Sequence, residues 1–175
     1  RNNQLTSLEA RLFSGLASLE VLALEVNRIE KLVNNTFAGL TSVVEISLKF
    51  NRIKHIEVDA FRGLAQLTYL NLDENRIRRI ERTFSSLTRL TALFIGNNLL
   101  ESLTNFTFSD CVNLQKLFLS TNQIKSIDRS AFSGLAKLKY LYLSNNMLSS
   151  IDIAIFSDLS RILSIFLKSN QISSV

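Results

Sequence analysis

The sequence has 175 residues, of which 46% are apolar and 20% are charged, so it can build a sizeable core and is not a disordered segment. Its net charge of +5 is small for a nucleic-acid-binding protein, and no uninterrupted apolar run approaches the roughly 18 residues of a membrane span. From these numbers we expect a chain that neither binds nucleic acid nor crosses a membrane.

An asparagine recurs along the whole chain at a nearly constant step. Successive members are 24 residues apart, except for a step of 23 between Asn75 and Asn98. A phenylalanine series keeps the same step. A fixed period of this length predicts a solenoid in which each repeat forms one coil. The two series are Asn3, Asn27, Asn51, Asn75, Asn98, Asn122, Asn146 and Asn170, and Phe13, Phe37, Phe61, Phe84, Phe108, Phe132 and Phe156.

Each repeat also contains a short alternating pattern that predicts a β-strand. Residues 67–77 read LxxLxLxxNxI, and residues 138–148 read LxxLxLxxNxL. In Leu70, Asn71 and Leu72 the alternation has a period of two, so the leucines face the core and the residue between them faces solvent. Strands stacked from one repeat to the next therefore predict a parallel sheet.

The asparagines and phenylalanines have structural roles in this architecture. Each Asn lies where a strand ends and the chain turns, and its side-chain amide can donate and accept hydrogen bonds between coils. Each Phe lies on the returning side, where we expect a packed spine. Neighbouring strands are about 4.8 Å apart, whereas the bulkier returning segments need a larger spacing from coil to coil. The stack is therefore expected to curve with the sheet on its concave face.

The 24-residue step, the LxxLxLxxN pattern and a Phe-x-x-Leu element at residues 61–64 and 132–135 resemble the typical subclass of animal extracellular leucine-rich repeats. Toll-like receptor ectodomains, small proteoglycans and the variable lymphocyte receptors of jawless vertebrates share this subclass. The proline and the cysteine-rich caps that such receptors often carry are absent from the sequence.

The resemblance implies an α/β repeat fold. We expect a horseshoe-shaped leucine-rich repeat solenoid with a parallel β-sheet on the concave face and short helical or irregular segments on the convex face. Residues 1–175 are predicted to form a single domain of about seven repeats. The resemblance also implies a recognition module. It does not decide between an immune receptor and an adhesive or scaffolding protein.

Few residues could carry catalysis. Residues 108–111 read FSDC where residues 61–64 read FRGL, so Cys111 occupies a leucine position and is interpreted as a buried thiol rather than a reactive one. His55 is the only histidine, and it has no second His or nearby Cys with which to form a zinc site or a catalytic triad. We therefore expect a protein that is not an enzyme, with no catalytic residue, no metal and no cofactor.

Two sequons for N-glycosylation occur, at Asn34 and Asn105. Both asparagines lie seven residues after the ladder Asn of their repeat, on the returning side. Glycans at these positions would leave the concave face free. Together with the repeat subclass, the sequons favour an extracellular protein, either secreted or a receptor ectodomain.

The outward positions of the predicted strands carry the candidate binding residues. Rings from Phe94, Phe118, Tyr142 and Phe166 follow one column, with Tyr140 beside it, and a contiguous apolar patch on a solvent-facing sheet usually marks an interaction site. Cross-strand stacking that stabilises the sheet is the alternative. The predicted ligand-binding residues on the concave face are Tyr69, Phe94, Lys116, Phe118, Tyr140, Tyr142, Phe166 and Lys168.

The expected partner is a protein or glycan ligand. Lys116, Lys139 and Lys168 flank the rings, so the partner surface is predicted to be neutral to acidic. A homodimer formed through the aromatic patch is the alternative.

A row of arginines follows the ladder on three successive coils, at Arg28, Arg52 and Arg76. Because like charges about 5 Å apart repel, we expect the row to contact acids such as Glu25, Asp73 and Glu74. An ordinary surface row with paired charges and an anion-binding rim are both open interpretations.

Overall fold

A computed structural model of the chain describes residues 2–174, which form a solenoid with one seven-stranded parallel sheet and two short outer sheets. The large sheet takes one strand from each repeat. Its strands are β1 Val21–Ala23, β3 Glu45–Ser47, β5 Tyr69–Asn71, β6 Ala92–Phe94, β8 Lys116–Phe118, β10 Tyr140–Tyr142 and β11 Ser164–Phe166. They pair in the order β1–β3–β5–β6–β8–β10–β11.

The register of this sheet follows the sequence period. Leu70 pairs with Leu93, and Leu93 pairs with Leu117, so each coil adds one in-register strand. The middle residue of each strand points inward and the two flanking residues face the concave side, as the alternation predicts. The predicted leucine-rich repeat solenoid with a concave parallel sheet is confirmed.

The ladder asparagines join neighbouring coils through buried hydrogen bonds. The Oδ1 atom of Asn51 accepts from the Ile29 N–H at 3.1 Å, and its Nδ2 donates to the carbonyls of Leu24 and Leu48 at 3.0 and 2.9 Å. Asn75, Asn98, Asn122 and Asn146 repeat this arrangement. The predicted role of the ladder, which satisfies backbone groups at the strand exits, is confirmed.

The phenylalanines form a continuous spine on the convex side, here called the Phe spine. Neighbouring rings lie 5.5–6.5 Å apart with their planes within 22° of parallel. The rings from Phe37 to Phe132 are fully buried, whereas Phe13 and Phe156 at the two ends are partly exposed. Between these rings the convex side is built from turns, and its one 3₁₀ helix within residues 2–174 spans Ile153–Phe156.

Two short outer sheets lie just beyond the Asn ladder. Strand β2 (Lys31–Leu32) pairs with β4 (His55–Ile56), and β7 (Ser102–Leu103) pairs with β9 (Ser126–Ile127). The coil of residues 75–97, which is the 23-residue repeat, contributes no strand to either sheet. The shorter repeat therefore interrupts the outer pairing while the concave sheet continues through it.

Cys111 lies in the core beside the Phe spine. Its side chain is fully buried, and its Sγ atom lies 3.9 Å from the Phe84 carbonyl oxygen. Burial, with a smaller contribution from the charge of Asp110, raises the pKa of the thiol to about 12. The interpretation of Cys111 as a leucine substitute is confirmed. Over residues 2–174, no helix has the length and apolar character that crossing a membrane requires.

Candidate ligand-binding face

The concave face takes its character from the third and fifth positions of the LxxLxLxxN pattern, which are the two outer residues of each strand. In β6 these are Ala92 and Phe94, and in β8 they are Lys116 and Phe118. All four are at least partly exposed, whereas the leucines between them are buried. The strand register then places the fifth-position side chains of neighbouring coils directly beside one another.

Four aromatic rings form an unbroken stack on this face, here called the ring ladder: Phe94, Phe118, Tyr142 and Phe166. The ring centroids of neighbours lie 4.3, 4.2 and 4.5 Å apart, and their planes are within 9° of parallel. At the N-terminal end, the ring of Tyr69 lies 5.0 Å from that of Phe94 and is tilted by 40°. The strands thus hold five rings in contact, four in the column of the ring ladder and Tyr69 against its N-terminal end.

The fifth ring in contact is Tyr69, not Tyr140, which was expected to complete the cluster. Tyr140 makes no ring pair within the described part of the chain and is half-buried at a third position, in register with Lys116 and Ser164. Two residues along a strand span roughly 6.7 Å, so a third-position side chain lies beside the ladder rather than in it. Tyr69 is also at a third position, but its neighbour Asn71 carries no ring and leaves space for the tilt.

Stacking decides which part of each ring a partner can reach. Because neighbouring planes are nearly parallel at 4.2–4.5 Å, the inner rings cover each other's faces and present only their edges. Phe166 on β11 ends the ladder, is 41% exposed and has one face that no other described ring covers. The ladder is therefore an apolar strip of ring edges with one open ring face.

Lysines border the strip. Lys116 and Lys168 are exposed and Lys139 is half-buried, and none of the three takes part in an ion pair with another described residue. No acidic residue occupies an outward strand position from β6 to β11. This half of the concave face is thus apolar with a positive border.

On the N-terminal half of the concave face, next to the ring ladder, lies a series of polar contacts that the sequence did not predict. Nδ2 of Asn71 donates to the Tyr69 hydroxyl at 3.3 Å, and Oδ1 of Asn71 accepts from the Asp73 N–H at 3.0 Å. Oδ1 of Asp73 then accepts from the Gly96 N–H at 2.6 Å. Burial raises the pKa of the Asp73 carboxyl, while the hydrogen bond from Gly96 and the charge of Lys49 act in the opposite direction.

Gly96 makes this contact possible. A Cβ atom at position 96 would lie 3.0 Å from the Ser120 carbonyl oxygen and 3.3 Å from Oδ1 of Asp73. The signal in the sequence is an Asp at the seventh position of one repeat followed by a Gly at the same position of the next. Their side-by-side placement emerges only once the coils are stacked.

The arginine row is where the sequence-based expectation was wrong. Arg28, Arg52 and Arg76 are all exposed, and none forms an ion pair with Glu25, Asp73 or Glu74 or with any other residue from 2 to 174. The row lies past the strand exits, outside the concave sheet, and Asp73 is turned toward Gly96.

The two sequon asparagines lie outside the concave sheet, exposed on the returning side. Oδ1 of Asn34 accepts from the Asp59 N–H, and Oδ1 of Asn105 accepts from the Ser130 N–H, each at 3.0 Å. The threonines of both sequons are buried and donate to a carbonyl three residues back. These bonds give the N-x-T pattern a structural use at both places, and glycosylation of Asn34 and Asn105 stays a prediction.

No constellation suited to a metal or cofactor is found in residues 2–174, which contain no group of three or more His, Cys, Asp or Glu side chains placed to bind an ion. His55 is exposed on β4. The chemistry available on the concave face is therefore contact: ring edges, hydroxyls, amides and ammonium groups.

Known proteins share this architecture. Two solved structures are similar to the protein over nearly all of its length. One is an internalin (inlF) from Listeria monocytogenes, with a TM-score of 0.77 and 29% identity, and the other is TLR13 in a complex with ssRNA13, with a TM-score of 0.73 and 28% identity. The alignments cover 98% and 96% of this protein but only 46% and 27% of the internalin and TLR13 chains. The sequence thus spans less than half the length of either neighbour.

Neither neighbour assigns a ligand to this chain. TLR13 was solved with an RNA, so the comparison gives no support to the expectation that nucleic acid is excluded as a partner. No curated protein matches the sequence. The leucine-rich repeat family, in contrast, matches residues 1–53, 41–100 and 88–148, well over half of the sequence, and the chain belongs to that family.

Proposed function

We propose that the protein is a non-enzymatic recognition module that binds a protein partner through the ring ladder. The ladder itself carries the proposal, because a strip of stacked rings on a solvent-facing sheet is not needed to fill the core. Aromatic side chains dominate binding hot spots, where truncation costs about 2 kcal/mol or more. The lysine border complements a partner with acidic groups around an apolar centre.

The geometry favours a protein over a glycan ligand on this face. Sugar rings bind aromatic residues by lying on a ring face, but the inner ladder rings cover each other's faces at 4.2–4.5 Å. Ring edges instead suit apolar and aromatic side chains in the edge-to-face arrangement that such pairs prefer.

An extracellular, receptor-type setting is part of the proposal. The repeat subclass and the two exposed sequons support it, and a role in immune recognition like that of variable lymphocyte receptors is the finer form. An adhesive or scaffolding protein is the alternative within the same setting.

The test compares Phe118→Ala and Tyr142→Ala with the parent in affinity capture from extracellular fluid, with bound proteins quantified by mass spectrometry. Val112→Ala, which shortens an exposed apolar residue outside the concave face, is the matched control. We expect a partner retained by the parent and the control to be lost from both ladder variants, while their melting temperatures change little. Unchanged capture by both ladder variants would refute the proposal.

Self-association is the second candidate, and the open face of Phe166 favours it because a second copy could stack a ring there. Light scattering over a concentration series decides this point. If the parent is a dimer and the Phe166→Ala and Phe118→Ala variants are monomers, the ring ladder binds a second copy of the chain rather than a different protein. If the parent is a monomer at high micromolar concentration, self-association is excluded.

A further inference from the structure

The arginine row is held in register along the stack. The backbone N–H groups of Arg28, Arg52 and Arg76 each donate to a carbonyl of the preceding coil, at 2.8, 3.0 and 2.9 Å. One coil step separates neighbours, or about 4.8 Å at the sheet. The row therefore places three exposed arginines on successive coils, on the side of the solenoid just past the strand exits.

Two acids that follow the Asn ladder on this side are engaged by other cations. Glu30 pairs with Lys54 at 2.9 Å, and Glu101 pairs with Arg78 at 2.8 Å. The pKa of Glu30 is lowered mainly by its hydrogen bond and charge interaction with Lys54, with smaller contributions from Arg52 and Arg76. Glu30 is thus within electrostatic range of the row but paired with Lys54, and no described carboxylate forms an ion pair with Arg28, Arg52 or Arg76. Stacked like charges without such a pair favour binding of an external anion.

Positive charge is also concentrated in the coil of residues 75–97. This coil contains five Arg and one Glu, which gives a net charge of 5 − 1 = +4 out of +5 for the whole chain. In the same coil, no backbone N–H from Arg78 to Arg82 donates a hydrogen bond to another described residue. The break in the outer pairing thus leaves free N–H donors beside the arginines.

A groove runs along this break, between β4 and the coil of residues 75–97. It has a volume of about 310 Å³. Of its three cationic groups, Lys54 and Arg78 are the ones paired with Glu30 and Glu101. Arg79 forms no ion pair with another described residue and is the cation available to a ligand in the groove. The lining residues are Lys54, His55, Ile56, Arg78, Arg79, Glu81 and Thr83.

We infer that this side of the solenoid binds a sulfated polysaccharide. The polysaccharide lies along Arg28, Arg52 and Arg76 and places one sulfate in the groove at Arg79. Guanidinium groups bind oxyanions through paired hydrogen bonds, and a linear polyanion matches a linear row. The contact ends beyond Arg76, because Leu99, Gln123, Met147 and Gln171 occupy the row position on the following coils.

The same surface is poorly suited to nucleic acid. Single-stranded RNA and DNA bind through aromatic stacking of bases as well as phosphate contacts. Residues 28–33, 52–58 and 76–82, which form this side of the three coils, contain no Phe, Tyr or Trp. His55 is the only ring in these segments, so successive bases would have no row of rings on which to stack, and the charge favours the polysaccharide.

The test is heparin affinity chromatography and titration with a size-defined heparin oligosaccharide. The triple variant Arg28→Gln, Arg52→Gln, Arg76→Gln is compared with Arg62→Gln, Arg129→Gln, Arg161→Gln, which removes the same charge from exposed positions elsewhere. We expect the row variant to bind about 10- to 100-fold more weakly with a shallower salt dependence, and the control to stay within about 3-fold of the parent. Arg79→Gln alone is expected to weaken binding by a few-fold.

Equal weakening of both triple variants would show a non-specific charge effect and overturn the inference. So would tighter binding of polyuridylate than of heparin with the same dependence on the row, which would assign the surface to nucleic acid. Melting curves establish that both triple variants are folded. Phe118→Ala tests whether the two sites are independent. This variant should bind heparin like the parent, whether or not the ring ladder binds a protein.

Discussion

The protein contains two stacks of aromatic rings with the same repeat step but different surroundings. Rings of the Phe spine lie 5.5–6.5 Å apart and are buried except at the two ends, whereas rings of the ring ladder lie 4.2–4.5 Å apart on the open concave face. The closer stack is the more exposed one. Burial rather than ring contact should therefore decide which stack holds the fold together, and the ladder is left available for binding.

The largest expected effect comes from shortening one ring in each stack. Phe108→Ala opens a cavity in a fully buried site and should lower the free energy of unfolding by about 3–5 kcal/mol. Phe118→Ala removes a half-buried ring and should cost only about 1 kcal/mol, mostly from lost stacking. Urea unfolding followed by circular dichroism measures both. Equal losses would mean that the ladder is a structural element like the spine.

The asparagine ladder lies between the two stacks and keeps their common register. Asn98→Ala leaves the buried Ile77 N–H without its acceptor and removes one of the two amide donors to the Leu72 carbonyl, so we expect a loss of about 1–3 kcal/mol. Asn122→Ala should behave alike. Asn113→Ala is the control, because this exposed-side amide bonds only to Thr88 and Lys137 and should cost less than half as much. Parent-like unfolding of both ladder variants would contradict this account.

A smaller effect is expected where the ring ladder meets the polar contacts of Asp73. Asp73→Ala removes the acceptor of the Gly96 N–H and should cost about 1 kcal/mol. Asp73→Asn keeps an acceptor and avoids burying charge, so its stability at neutral pH should equal or exceed that of the parent.

The difference in stability between Asp73→Asn and the parent should also depend on pH. The pKa of Asp73 is raised in the folded protein, so the fold favours the neutral carboxyl. Its contribution is largest below the unfolded pKa and declines as the pH rises through the folded pKa. The advantage of Asp73→Asn over the parent should therefore grow as the pH rises through and above the ordinary aspartate pKa of about 3.9. A constant difference would show that the carboxyl titrates normally.

The smallest expected effect is the reaction of the Cys111 thiol with a reagent in the folded protein. Because Cys111 lies beside the Phe spine, this reaction tests the packing of the spine side and not of the ring ladder. The burial of Cys111 and its pKa of about 12 leave almost no accessible thiolate near neutral pH. We expect no reaction of the folded protein with a water-soluble disulfide reagent over minutes, and one thiol per chain after denaturation. Rapid labelling of the native protein would place this residue at the surface.

Most of the fold could be predicted because every repeat carries the same sequence pattern. The strand positions, the inward leucines, the bridging role of Asn51 and its equivalents, and the core position of Cys111 all follow from one local pattern applied repeatedly. The column that contains Phe94, Phe118, Tyr142 and Phe166 follows from the same step. Periodicity specifies which residues align, and parallel register then brings them together.

What could not be predicted depends on distances between coils. The step does not specify that Tyr69 reaches Phe94 while Tyr140 stays apart, or that Asp73 turns toward Gly96 rather than toward the arginines. The turn at each ladder Asn was predicted, but the left-handed backbone of the residue before it was not. That residue has a φ between +48° and +58° in seven successive repeats, at Val26, Phe50, Glu74, Asn97, Thr121, Asn145 and Ser169. Only Asn favours this left-handed conformation among these residues, so the stacked coils override the local preference.

The unequal ring spacings also limit how the solenoid can bend. Ladder rings whose centroids are already 4.2 Å apart are in van der Waals contact, so curling the solenoid more tightly would press them into one another. The spine rings, at up to 6.5 Å, offer no such resistance. Straightening would separate the rings, and it is opposed by the hydrogen bonds between neighbouring strands rather than by ring contact. The inner stack therefore adds resistance to bending in one direction only, towards a tighter curve in the C-terminal half.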